Sequence, residues 1–248
     1  MTHVLLLGGT FDAHVLSTRL HAAGVPAVYS YAGATQTRRT PALPTRVGGF
    51  GGVAGLVQYL RENRISHVID ATHPFAAQMS SHAIEACAAL GVPLLAMERP
   101  AWQAQAGDRW TTVADMPAAA SALPQDGSTV FLAIGRKQLA AFAPCAGGHH
   151  FVLRVVDAPE EPFPLPAANC ELVIARGPFQ LADELTLLRQ HRVSRIVSKN
   201  AGGPDTYAKI EAARQLGLPV VMVERPRLPA RTLCETPDEA MQWLAATV

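Results

Sequence analysis

The chain repeats itself, and the repeat limits its fold more than any other feature. RISHVID (64–70) resembles RVSRIVS (192–198), and GVPLLAMERP (91–100) resembles GLPVVMVERP (217–226). VLLLGGT (4–10) has a looser counterpart in VFLAIGR (130–136). The three matches keep the same order and a nearly constant offset. Valine-rich strands alone could look alike by composition, but an ERP tripeptide after a strand in both halves goes beyond that. The pattern points to duplication of one folding unit.

Within each unit short apolar runs alternate with helical patterns. In the first half VLLLG (4–8), PAVYSYAG (26–33), TRVGGF (45–50), SHVIDA (66–71) and VPLLAM (92–97) read as strands. Val53, Leu56, Val57 and Leu60 fall at i, i+3, i+4 and i+7, one buried helix face. A further helix is expected from about Phe75 to Leu90, stopped by Gly91, with Pro74 in its first turn. Strands that are apolar throughout, placed between helices, belong to parallel sheets covered on both faces. The expected fold is therefore α/β, with two Rossmann-like parallel-sheet domains spanning residues 1–105 and 106–248. Each ERP is followed by a similar tail: RWTTV with DMPAAASAL (109–123), and RTLCE with TPDEAMQWLAA (231–246). Either tail strand could pair with its own sheet or exchange into the other one.

Composition removes several function classes. Of 248 residues 49% are hydrophobic and 17% charged, the balance of a folded chain. A net charge of +1 carries no global signal for nucleic acid or for a membrane surface. Cys87, Cys145, Cys170 and Cys234 lie far apart without a CxxC, so they read as reduced thiols. No basic n-region opens the chain and no apolar run approaches a membrane span of about 18 residues. A soluble cytoplasmic protein is expected. The histidines are dispersed, so no metal site is expected.

The first half carries glycine-rich turns. Gly8, Gly9 and Thr10 end the first strand and open the first helix, where backbone N–H groups can approach a pyrophosphate. The third glycine of GxGxxG is missing, and a bare strand turn would look the same. After the second strand come Tyr31 and Gly33, followed by Thr35, Thr37, Arg38 and Arg39, with no acidic residue for a ribose 2′-hydroxyl. Hydroxyls and guanidinium suit a 2′-phosphate, and a solvated basic loop is the alternative. Gly48, Gly49, Phe50, Gly51 and Gly52 give more glycine than a turn needs, which suggests backbone approach to a ligand. Asp70, Thr72 and His73 end the fourth strand. His73 could move a proton or position substrate, although a lone histidine is more often structural.

In the second half cations stand at the equivalent turns. Arg136 and Lys137 replace the Gly-Gly-Thr turn, Arg176 follows ELVIA, Arg154 lies on FVLRVV, and Ser198, Lys199, Asn200, Gly202 and Gly203 follow RIV. Scattered solubilising charge is the bland reading. Charges that abut apolar strands suggest instead a ligand with several carboxylates or phosphates.

LLLGGT, GGFGG, DATHPFA, GVPLLAMERPAW, GRK, RGPF, SKNAGG and the second ERP, in this order, resemble the precorrin-6A reductase family of cobalamin biosynthesis. The resemblance covers nearly the whole chain, and DATHPFA and SKNAGG are its distinctive parts. The sequence departs from the family at Phe11-Asp12-Ala13, where many relatives carry an acidic residue and a glycine. The resemblance implies NADPH as coenzyme and precorrin-6A, a tetrapyrrole with acid arms, as substrate. It further implies hydride delivery to C19 and a proton at C18, giving precorrin-6B. His73 is then a candidate proton donor, with solvent or a carboxyl group of the substrate as the alternatives. Gly8, Gly9, Thr10, Tyr31, Gly33, Thr35, Arg38, Gly49, Phe50, Gly51 and Thr72 would bind NADPH, and the second-half residues named above would bind the macrocycle. Adjacent enzymes of the cobalamin pathway are candidate partners. A non-catalytic nucleotide-binding regulator, or a reductase of another polyanion, is the competing reading. Residues 157–169, with four prolines and no periodicity, are expected to form a lid.

Overall fold

A computed structural model describes residues 2–31, 40–157 and 164–247. The chain forms two compact units. The first comprises Met1–Pro100 together with Arg227–Val248, and the second is Ala101–Pro226. The expected boundary after residue 105 moves to Pro100, and the expected second domain loses residues 227–248 to the first unit.

Sheet pairing explains that correction. The first unit contains β1 (Val4–Leu7), β2 (Ala27–Tyr31), β3 (Thr45–Val47), β4 (His67–Asp70) and β5 (Leu94–Met97). The second contains β6 (Trp110–Val113), β7 (Thr129–Ala133), β8 (His150–Val155), β9 (Cys170–Ile174), β10 (Arg195–Lys199) and β11 (Val220–Val223). The last strand is β12 (Thr232–Cys234). One sheet runs β12-β5-β4-β1-β2-β3 and the other β6-β11-β10-β7-β8-β9, all parallel. Both have the doubly wound order of the Rossmann fold. In each, the sixth strand comes from the other tail: Thr232 pairs with Leu95 and Trp110 with Val220. The two tails are exchanged.

Strand β1 shows why the first sheet is buried on both faces. Val4 and Leu6 point to one side, against Leu16 and Leu20 of α1 (Phe11–Ala22) and Ala240 and Leu244 of α7 (Pro237–Thr247). Leu5 and Leu7 point to the other, against Leu56 and Leu60 of α2 (Gly52–Glu62) and Ala83 and Ala86 of α3 (Ala77–Leu90). Alternate side chains of a strand face opposite sides, so a doubly covered strand must be apolar throughout. Helix α3 begins at Ala77, later than expected. His73–Ala76 form a tight turn closed by the Ala76 N–H on the His73 carbonyl, so Pro74 precedes the helix.

The duplication extends to backbone geometry. In the second unit α5 (Leu181–Gln190) and α6 (Ala208–Leu216) follow β9 and β10, as α2 and α3 follow β3 and β4. Arg64 after α2 and Arg192 after α5 are both left-handed, with φ of 49° and 50°. Each closes its helix with the same pair of hydrogen bonds: Arg64 to Arg61 and Ile65 to Leu60, Arg192 to Arg189 and Val193 to Leu188. Those are Schellman closures with arginine where glycine is usual. The units differ at the first crossover. Helix α1 follows β1, whereas a 3-10 run over Arg136–Gly148, with Pro144 inside it, follows β7. Beyond β6 the second unit carries the short helix α4 (Met116–Ser121), the counterpart of α7 beyond β12.

Candidate functional site

In an open parallel sheet ligands bind beyond the carboxyl ends of the strands, where the strand order reverses. In the first unit that point lies between β1 and β4, so the turns after Leu7 and Asp70 meet there. The Thr10 hydroxyl joins them. It accepts the Ala13 N–H (3.1 Å) as the cap of α1 and donates to the Ala71 carbonyl (2.9 Å). Gly8 is required by its neighbour: a Cβ there would lie 2.1 Å from the Tyr29 ring. The Tyr29 hydroxyl accepts the Gly9 N–H (2.9 Å), and the Tyr31 ring packs beside it, tilted by 40° with centroids 4.5 Å apart. Burial holds the Tyr29 phenol protonated well above its ordinary range.

The Asp70 carboxylate organises the next turn. It is buried and accepts the Thr72 N–H (3.1 Å), the Thr72 hydroxyl (2.7 Å) and the Ser80 hydroxyl (2.6 Å). Thr72 therefore already has a partner within the fold. His73 is exposed, and its Nδ1 accepts the Phe75 N–H (3.2 Å), which assigns the ring proton to Nε2. Asp12, in the first turn of α1, is paired with Arg99 of the first ERP. Arg46 of β3 grips the turn at Gly48, Gly49, Phe50 and Gly51. Its guanidinium donates to the Gly48 carbonyl (3.0 Å), the Gly49 carbonyl (3.0 Å) and the Ser30 hydroxyl (2.8 Å), and lies 3.7 Å over the Phe50 ring. A Cβ added at Gly9 or Gly49 meets nothing within 4 Å, so the surface beside both turns is open. Gly33, Thr35 and Arg38 lie outside the described residues, as do 158–163 of the expected lid.

In the second unit the reversal lies between β7 and β10. Gly135 turns the chain with φ of 75°, and Arg136 and Lys137 stand exposed after it. Lys199 ends β10. Burial, and then the positive charge of Lys137, push its ammonium down to about 8. Arg176 is exposed just beyond β9. These four cations share the carboxyl edge of one sheet.

The other second-half candidates are placed differently. The Ser198 side chain is fully buried. The Asn200 side chain accepts the Trp102 N–H (2.7 Å) and donates to the Trp102 carbonyl (3.0 Å). The Gly203 carbonyl accepts the Trp102 indole N–H (2.8 Å), and Gly202 and Gly203 are both left-handed, with φ of 74° and 71°. This turn holds the chain segment at Trp102, and Arg225 of the second ERP donates to the Asn200 and Ala201 carbonyls. Arg154 is buried, paired with Glu184 of α5, with its guanidinium 4.9 Å from the Phe131 centroid and 3.7 Å from that of Phe179. Arg154 does lie on its strand as expected, but this expected ligand of the macrocycle is turned to partners inside the unit, because β8 is covered on both faces. Sequence reasoning missed Tyr29, Arg46 and Glu184. A tyrosine and an acid at otherwise apolar positions were the available signals.

A depression of about 430 Å³ lined by His3, His21, Val28, Leu43 and Pro44 lies at the amino ends of β1 and β2, the edge opposite these turns. Among the described residues no helix is long and apolar enough to cross a membrane.

Strand order, crossovers and glycine-rich carboxyl-edge turns define a duplicated α/β protein of the Rossmann class. Comparison with known proteins narrows this. The model of the family described as precorrin-6x reductase CbiJ/CobK matches residues 3–245, and the chain belongs to that family. A precorrin-6A reductase from Rhodobacter capsulatus is 55% identical over 245 residues, covering 99% of this chain and 96% of its own. One from Rhodococcus erythropolis is 43% identical, covering 98% of each. The solved structure titled CobK precorrin-6A reductase superposes with a TM-score of 0.94 at 54% identity, covering 100% of this chain and 97% of its own.

Proposed function

We propose that the chain reduces precorrin-6A to precorrin-6B in cobalamin biosynthesis with NADPH, the first unit holding the coenzyme and the second the macrocycle. Family membership over nearly the whole chain supports the activity. One observation supports the division of roles: the two equivalent turns have diverged. Gly8-Gly9-Thr10 opens a regular helix whose N-terminal dipole favours a phosphate. Gly135-Arg136-Lys137 opens a 3-10 run, and Lys199 stands across the reversal from it. Donors and a helix dipole suit a pyrophosphate; ammonium and guanidinium groups suit acid arms.

The first-unit residues fit a dinucleotide. Gly8 lets the turn pass over Tyr29, and the open surface at Gly9 and Gly49 leaves room for a ligand against the backbone. Phe50, Gly51, Tyr31 and Thr72 flank the same edge. The preference for NADPH over NADH rests on Arg38 with the hydroxyls of Thr35 and Thr37, and on the lack of an acidic residue after the second strand. NADPH, when bound, supplies the hydride, which this reading delivers to C19 of the ring. The chain's own part is to orient the ring and exclude water. His73, exposed in the turn after β4, is the group that would hold the proton for C18.

The experiment is to titrate variants separately with precorrin-6A and with NADPH. Arg176→Ala and Lys199→Ala are each expected to weaken macrocycle binding at least tenfold, about 1.4 kcal/mol. An enclosed charge pair costs roughly 2–5 kcal/mol to truncate, against about 0–1 for a solvated one. NADPH affinity should hardly change. A loss in NADPH affinity instead would reverse the roles of the units.

A further inference from the structure

Both units place an arginine over the ring of a phenylalanine in the turn that follows the third strand of the Rossmann order. In the first unit the pair is Arg46 and Phe50, and in the second it is Arg154 and Phe179, each with 3.7 Å from guanidinium carbon to ring centroid. The phenylalanines occupy equivalent turns, after β3 and after β9. The arginines do not correspond. Arg46 comes from the third strand of its sheet and Arg154 from the second. Duplication alone does not produce the same contact from non-equivalent strands.

The second pair is the more costly arrangement. Arg154 is buried between Phe131 and Phe179 and is paired with the buried Glu184. A buried ion pair is weak evidence for stability, because desolvation offsets the attraction, but it can fix a unique geometry. Lys209 of α6 is also buried here, donating to the Thr206 carbonyl (2.6 Å) and lying 4.8 Å from the Trp102 ring centroid. Burial and the charge of Arg154 push its ammonium down to about 7. Phe179 is held from other directions too. Its N–H donates to the Asp205 carbonyl (3.3 Å), and its ring lies 3.2 Å from where a Cβ on Gly177 would stand. The turn carrying exposed Arg176 is therefore anchored three residues later on a buried cation.

We infer that Arg154 and Phe179 are positioning residues that act through the 176–179 turn to set Arg176 for a carboxylate of the macrocycle. The inference rests on the reading of the second unit as the macrocycle site. Arg154 touches no substrate in this account. Its planar guanidinium stacks, which the ammonium of lysine cannot reproduce.

The test is steady-state reduction of precorrin-6A by the full-length enzyme. Phe179→Leu is expected to raise the macrocycle KM at least tenfold, with kcat at saturation close to wild type and the NADPH KM unchanged. Phe179→Tyr keeps the ring and should restore the macrocycle KM. Arg154→Lys keeps the charge opposite Glu184 but loses the stack, so it should reproduce the Leu effect even if Phe179→Leu folds poorly. Combined with Arg176→Ala, Phe179→Leu should add less than twofold, since both act through one contact. Multiplying effects, or an unchanged KM in both Phe179→Leu and Arg154→Lys, would overturn the inference while leaving the macrocycle site standing. If Arg176→Ala itself leaves macrocycle affinity unchanged, the reading of the second unit falls and the inference falls with it.

Discussion

Lys199 connects burial to ligand chemistry at the level of one side chain. An ammonium pushed down to about 8 by burial and by Lys137 is held in a field that a carboxylate would relieve. Anion binding should return it toward its ordinary value, so binding takes up a proton between the two values. The sign follows: macrocycle affinity is greatest below about pH 8 and falls as pH rises above it. Lys199→Arg keeps its charge throughout and should lose that fall. Titration of macrocycle affinity between pH 6 and 10 checks it, and an identical profile in both proteins would exclude Lys199 from the site. The candidate cations of this edge were legible because charge beside an apolar strand is unusual. Their individual duties were not. Arg154 and Lys199 look alike in sequence, but Arg154 lies where β8 is covered on both faces, while Lys199 is the last residue of its strand. Thr10, Thr72 and Asn200 were visible as polar residues at strand ends. Only the folded chain shows that their side chains bind its own backbone or Asp70.

Among elements, the core strands could be read directly, because a doubly covered strand has to be apolar at consecutive positions. The start of α3 could not. DATHPFA has a proline suited to a first helical turn, yet Asp70 captures Thr72 and the His73–Ala76 turn intervenes. The Schellman closures at Arg64 and Arg192 were likewise unmarked, since glycine is the usual signal there. A left-handed conformation costs a residue with a Cβ roughly 1–2 kcal/mol, against about 0.5–1 for the extra freedom that glycine loses. Arg192→Gly and Arg64→Gly are therefore each expected to stabilise their units slightly, by up to about 1 kcal/mol. Thermal or denaturant unfolding measures this, and a loss of stability would show that the arginine side chains make compensating contacts.

For the molecule as a whole, the duplication was written in the sequence and the exchange of tails was not. RWTTV and RTLCE present similar strands to similar sheet edges, so no local property distinguishes the two pairings. The exchanged arrangement has a mechanical consequence. Removing residues 227–248 takes β12 from the edge of β5, and takes Ala240 and Leu244 from the face built on Leu16 and Leu20. That truncation should unfold the first unit and leave the second, which keeps all six strands, protected against hydrogen exchange. Leu244→Ala, a milder lesion, should cost about 2–5 kcal/mol in the first unit. Loss of protection across 110–225 instead would contradict the exchange.

The proposed reduction requires the coenzyme on one unit and the macrocycle on the other. Purified protein mixed with precorrin-6A and NADPH reports on it directly, through coenzyme absorbance and the spectrum of the ring. NADPH should be consumed in proportion to macrocycle reduced, and should remain stable when either the macrocycle or the protein is left out. Binding of both ligands with no oxidation of NADPH would contradict the account and leave a nucleotide-binding regulator in its place.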